Sequence, residues 1–190
     1  MSESECRNFS KLLAYHTAPT LLGIKCASLV SLSRTEYDVD EQSCYFNRRT
    51  AVKGLKSRVL CGCGSRVLLL IYKETLLEKR LSDSEVRRLL ERFGYGKDFT
   101  PEECLDRLSQ RIQCSGDFPH EIGLFLDYPV EDVVGFIRHK GNNYKLCGCW
   151  KVYGCEETAR KTFANYDKCR KYLCNKLNEG ADIYQALKIS

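Results

Sequence analysis

The sequence predicts an α+β fold: a single domain, residues 1–190, with a small, mostly antiparallel sheet packed by amphipathic helices. Three observations carry that expectation. The runs Arg58 to Cys61 and Arg66 to Lys73 are rich in Val, Leu and Ile and flank the turn chemistry of Gly62-Cys63-Gly64-Ser65, which reads as a β-hairpin. Ser82-Asp83-Ser84-Glu85 and Thr100-Pro101-Glu102-Glu103 both have the spacing of a capping box ahead of apolar residues at helical intervals. A long stripe, Ala159, Phe163, Tyr166, Cys169, Leu173 and Leu177, marks a helix from Glu156 to Asn178 closed by Gly180.

The remaining elements follow in order. Phe9, Leu12, Leu13 and Tyr15 predict a first helix over residues 4–15, interrupted by Pro19, so that His16 falls at the helix end or in the loop beyond it. Residues 36–53 predict a second helix closed by Gly54. After the hairpin, Val86, Leu89, Leu90 and Phe93 share one helix face that stops at Gly94, and Leu105, Leu108 and Ile112 share the face of the next. Pro129 opens a helix through Val130, Val133, Val134 and Ile137 that ends near Gly141, and His139 in its last turn suits the helix dipole. Tyr144 to Tyr153 reads as one strand, and Ile183 to Leu187 as a short final helix.

Composition narrows the function classes. The longest apolar run, Val67 to Tyr72, is far shorter than the roughly 20 residues a membrane span needs, and the acidic, polar start Met1-Ser2-Glu3-Ser4-Glu5 has no signal-peptide character. A cytoplasmic protein is expected. The net charge of +5 is spread over mixed-sign segments rather than one basic stripe, which argues against nucleic-acid binding. Twelve cysteines in such a chain are expected to serve as packing residues, metal ligands or redox groups rather than as disulfide staples. The sequence does not fix the oligomeric state.

Three strings, His16-Thr17-Ala18-Pro19-Thr20-Leu21, the segment from Pro119 to Pro129 with Val130 to Ile137, and Trp150-Lys151-Val152-Tyr153, occur in an order and at spacings that resemble a bacterial domain-of-unknown-function family, number 3793. The resemblance spans about residues 9–187. It implies a single-domain cytoplasmic protein of an anaerobe such as a clostridium. It also implies a genomic neighbourhood of ferrous iron uptake and flavodoxin, hence iron or redox homeostasis with a flavodoxin-like or iron-uptake partner. The family carries no assigned activity. The resemblance implies that the histidine strings, and not the cysteines, define the family.

Two constellations are candidate sites. His16 and His120, with Glu121, are expected to hold ferrous iron, or the histidines to ligate haem iron above an apolar pocket formed by Phe118, Leu124 and Phe125, with Tyr128 and Trp150 beside it. The alternative metal centre is Cys61-Gly62-Cys63 with Cys147-Gly148-Cys149. Residues two apart share a strand face, and two neighbouring strands would present four thiolates to zinc or an iron–sulfur cluster. A second use of the histidine string is acid–base catalysis, with Glu121 orienting His120 and Tyr128, Lys151 or Tyr153 as acid or anion holder. No zincin, P-loop, dinucleotide-binding or nucleophile-elbow pattern is present. A third reading places Trp150 to Tyr153 on an exposed strand, beside Tyr128, as an aromatic patch for a redox partner.

Overall fold

A computed structural model describes residues 3–114 and 118–189. It is α+β, with one three-stranded antiparallel sheet and a separate two-stranded hairpin. The chain divides into two compact units, Met1–Leu77 with Lys168–Ser190, and Glu78–Asp167. Both boundaries fall inside helices. Among the described residues no helix is long and apolar enough to cross a membrane.

The first unit is built on the sheet β1 (Ala27–Ser33), β3 (Arg66–Lys73) and β2 (Leu55–Cys63), in the order β1-β3-β2. The hydrophobic hairpin β2–β3 is where the turn chemistry places it, with Cys63 opposite Arg66 and a register shift between Val59 and Cys61. Strand β1 is an addition to the predicted elements. Its alternation puts Val30 and Leu32 into the core while Ser31 faces solvent. Helix α1 (Glu3–Leu21) runs through Pro19 rather than stopping before it. A proline lacks the N–H that the carbonyl four residues earlier would accept. Here that carbonyl, Tyr15 O, takes the Arg170 Nε–H at 3.0 Å instead, so the helix continues without an orphaned acceptor. Helix α2 (Val39–Thr50) starts later than residue 36 because Asp38 is its cap, accepting from Glu41 N at 3.0 Å, and a 3-10 turn over Ala51–Lys53 carries it to Gly54. The Asn47 side chain of α2 pairs with the outer edge of β2, accepting from Ser57 N at 2.6 Å and donating to Ser57 O at 3.0 Å, which blunts an edge otherwise open to strand addition. The core gathers Leu13, Ala18, Val30, Leu32, Phe46, Leu55, Leu69 and Ile71 with Leu173, Leu177 and Ile183.

The second unit contains α4 (Ser84–Arg92), α5 (Pro101–Cys114), α6 (Ile122–Phe125), α7 (Val130–Arg138) and the hairpin of β4 (Leu146–Cys147) and β5 (Lys151–Val152). Helices α3 (Glu74–Leu81) and α8 (Glu156–Asn178) each contribute residues to both units. Thr100 and Glu103 form the expected reciprocal cap of α5, whereas α4 is capped by Asp83, which accepts from Glu85 N and Val86 N. The predicted strand from Tyr144 to Tyr153 is broken. Gly148-Cys149-Trp150 turns the chain so that Leu146 pairs with Val152 and Cys147 with Lys151. The last short helix, α9 (Ile183–Ala186), closes the first unit on a capping box between Asp182 and Gln185.

Candidate functional site: the His120 pocket

The site begins with a helix too short to hold itself. The four residues of α6 are wholly buried, and the chain leaves them through Asp127, which adopts a left-handed backbone at φ 63° with Tyr128 N donating to Gly123 O at 2.9 Å. Arg80 secures the turn, donating from Nε to Leu124 O at 3.1 Å and from Nη2 to Tyr128 O at 2.5 Å. Gly123 lets α7 and Tyr128 come close, since a Cβ there would lie 2.8 Å from Val133 Cγ2 and 3.1 Å from Tyr128 Cδ2.

Asp132 fixes the other wall. Only 3% exposed, its carboxylate accepts the Trp150 Nε1–H at 2.6 Å, Tyr153 N at 2.6 Å and Gly154 N at 2.8 Å. These three N–H donors take the place of the water that the buried carboxylate gives up, and they tie the end of the hairpin to α7. Trp150 stacks on Tyr128 at 5.0 Å and meets Phe163 edge-on at 4.6 Å. Gly148 allows that packing, because a Cβ would fall 2.3 Å from the Phe163 ring.

Between these walls lies a cavity of about 350 Å³, lined by Phe118, His120, Tyr128, Phe136, Trp150 and Lys151 among others. All of its lining belongs to the second unit. His120 is exposed and contacts the Phe136 ring edge-on at 5.0 Å. Lys151 donates from Nζ to Gly141 O at 2.7 Å and lies over the rings of Tyr144 and Phe136, so its cation is held at the rim by a carbonyl and two π faces. Burial pushes the Tyr128 phenol up to about 12, so it stays protonated, and its hydroxyl donates to Cys149 O at 3.4 Å. Cys147 and Cys149, both exposed, also line the cavity.

Of the residues picked from sequence for a cofactor, Phe118, His120, Tyr128 and Trp150 meet here. Phe125 does not: fully buried, it packs against Tyr95 at 5.8 Å between ring centres. Leu124 is likewise in the core. Glu121 is 1% exposed, with its carboxylate engaged by Arg111 and by the Tyr95 hydroxyl at 3.2 Å. The expected carboxylate–imidazole pair is therefore replaced by a buried pair with Arg111, because a carboxylate entering the core needs donors that are held there with it, and Arg111 and Tyr95 supply them. That pairing raises Arg111, and burial followed by the Glu121 charge holds the Tyr95 phenol well above its ordinary range.

His16 lies in the first unit on the exposed side of α1, edge-on to Tyr15 at 4.9 Å. Partial burial, and then the charge of Arg170, lowers its pKa. The four-thiolate arrangement required neighbouring strands. Among the described residues β2 pairs only with β3 and β4 only with β5, so Cys61 and Cys63 lie on one sheet, Cys147 on another, and Cys149 in the turn after it. Among the described residues no group of three or more His, Cys, Asp or Glu side chains is placed to hold a metal ion. The aromatic patch expected at Trp150 to Tyr153 is mostly inside, with Trp150 and Val152 buried and Tyr153 stacked on His139 at 5.6 Å. Sequence reasoning missed Asp132 and Phe136. An acidic residue three positions into a helix reads as ordinary dipole compensation, and Phe136 as one more apolar residue on the helix.

The fold and the site define an α+β protein with an aromatic-walled pocket served by one imidazole and one ammonium. The chain belongs to the family described as Protein of unknown function (DUF3793), whose model matches residues 13–187. No curated protein and no solved structure matches it. Two of the three strings that carried the resemblance, Pro119 to Ile137 and Trp150 to Tyr153, supply most of the pocket lining.

Proposed function

We propose that this chain is a cofactor-binding protein that holds a flat, largely apolar ligand of the haem type in the His120 pocket, with the imidazole addressed to iron. One observation carries the reading. A single cavity of about 350 Å³ gathers an exposed histidine, stacked aromatic walls and a rim lysine, the make-up of a site for an apolar ring system with one coordinating or anionic group. Neutral imidazole is a standard axial ligand of haem iron, and Tyr128 and Phe136, the former backed by the buried Trp150, offer aromatic surface for a macrocycle. The Lys151 ammonium keeps donors beyond the one given to Gly141 O and suits a ligand carboxylate. Iron or redox handling, the role implied by the family resemblance, is the use to which such a site fits. The reading rests on His120 and makes no use of His16 or of Glu121.

The test is a titration of the protein with haem under anaerobic conditions, followed at the Soret band. Saturation at one equivalent is expected, with His120→Ala binding at least about tenfold more weakly and with an altered Soret maximum. A Soret band that does not respond to the protein, or that responds identically in wild type and His120→Ala, contradicts the reading.

A further inference from the structure

The first unit has a cavity of its own, about 530 Å³, that the His120 reading leaves unused. Its lining pairs an apolar floor of Leu21, Leu55 and Leu187 with Lys53, Lys73 and Lys188, and Tyr172 stands beside them, half exposed. No acidic side chain is among the lining residues. Three ammonium-bearing residues around one apolar hollow give it a positive rim that suits an anion.

Two of the three lysines are held by the backbone around them. Lys73 donates to the carbonyl of Lys53, which keeps both at the same edge of the cavity. Lys188 sits at φ 55°, a left-handed conformation that is strained for any residue with a Cβ. The hydrogen bonds there, Lys188 N to Gln185 O at 2.9 Å and Ile189 N to Tyr184 O at 2.9 Å, are those of a Schellman helix end. The end of α1 makes the same pair of bonds at the same cavity, Gly23 N to Thr20 O at 3.0 Å and Ile24 N to Pro19 O at 2.8 Å, and there the left-handed position is the unstrained glycine. The ends of α6 and α7 close in the same way on Asp127 at φ 63° and Lys140 at φ 50°. Helix closure therefore accounts for the backbone at Lys188 and fixes its place on the cavity rim.

We propose that this cavity binds an amphipathic phosphate ester, its apolar body on the leucine floor and its phosphate toward Lys53, Lys73 and Lys188. Lysine suits the task as a compact point charge for phosphate oxygens. The proposal is independent of the His120 pocket.

The experiment is calorimetric titration of the full chain with 1-naphthyl phosphate, with 1-naphthol and inorganic phosphate as comparisons. The phosphate ester is expected to bind in one-to-one stoichiometry and the two fragments at least tenfold more weakly, with affinity falling as salt is raised. Lys73→Gln and Lys188→Gln are each expected to weaken binding roughly tenfold. Lys188→Gly separates ligand binding from folding: it is expected to lose the same affinity while raising the melting midpoint by roughly 2 °C, because the strain goes with the side chain. Competition by phosphatidic acid vesicles would assign the phosphate to a lipid headgroup, and its absence to a free ester; both outcomes support a phosphate site. Equal binding of naphthol and its phosphate, no binding at all, or affinities unchanged in the lysine variants would overturn the proposal.

Discussion

At the scale of single residues, Asp132 does more for the site than any residue that touches only the cavity. Its one carboxylate satisfies an indole N–H and two backbone N–H groups that follow one another along the chain, so Trp150 is aimed and the hairpin is anchored by the same group. Asp132→Ala leaves one buried and two half-buried donors without this acceptor and is expected to cost about 2 kcal/mol in urea unfolding. A loss below about 1 kcal/mol would show that water or a neighbour replaces the carboxylate. The sequence made His120, Tyr128 and Trp150 visible because rare residue types in unusual strings stand out. It hid the inward turn of Glu121, since neighbouring letters in a chain do not say which of two adjacent side chains enters the core. His120 is exposed and Glu121 is buried because the backbone at the start of α6 sends consecutive side chains apart.

At the scale of elements, the legible parts were those with strong local chemistry. The hairpin β2–β3, the capped helix α5 and the long stripe of α8 each announce themselves within a short window. The misread parts depend on partners distant in sequence. Helix α1 passes Pro19 because Arg170, far along the chain, takes the carbonyl that the proline leaves free. Strand β1 alternates weakly and gains its partners only from β3. Helix α8 also carries a chemical consequence at its first turn. Cys155 precedes the helix, and its thiolate is favoured by the Thr158 hydroxyl, which donates to Sγ at 3.3 Å, and by the Thr158 backbone N–H, so its pKa is lowered. Burial pushes Cys104 up to about 12, and Cys169 is raised as well. A lowered thiol pKa means more thiolate near neutral pH, and a raised one means less. Iodoacetamide labelling at pH 7, read by peptide mass spectrometry, should therefore modify Cys155 well ahead of Cys104 and Cys169, and Thr158→Val should slow Cys155. Equal rates at all three positions would contradict this reading of the helix end.

At the scale of the whole molecule, the two units escape sequence inspection because no linker separates them. Their boundaries lie within α3 and α8, where helical periodicity is continuous and no Pro, Gly or Ser-rich stretch intervenes. The α+β class was legible because strand and helix signals both occur in quantity. The division was not, since it depends on which elements pack together rather than on local pattern. The two cavities given a role differ in chemistry, aromatic with an imidazole in the second unit and leucine with lysines in the first. The chain contains three histidines, His16, His120 and His139, so the central claim can be read on three imidazoles at once. The direct measurement is a long-range ¹H–¹⁵N spectrum of protein labelled at histidine, recorded before and after one equivalent of haem. Selective shift or broadening of the His120 ring, with His16 and His139 unmoved, is the predicted result; movement of His16 or His139 with His120 silent, or no change at any ring, would contradict it.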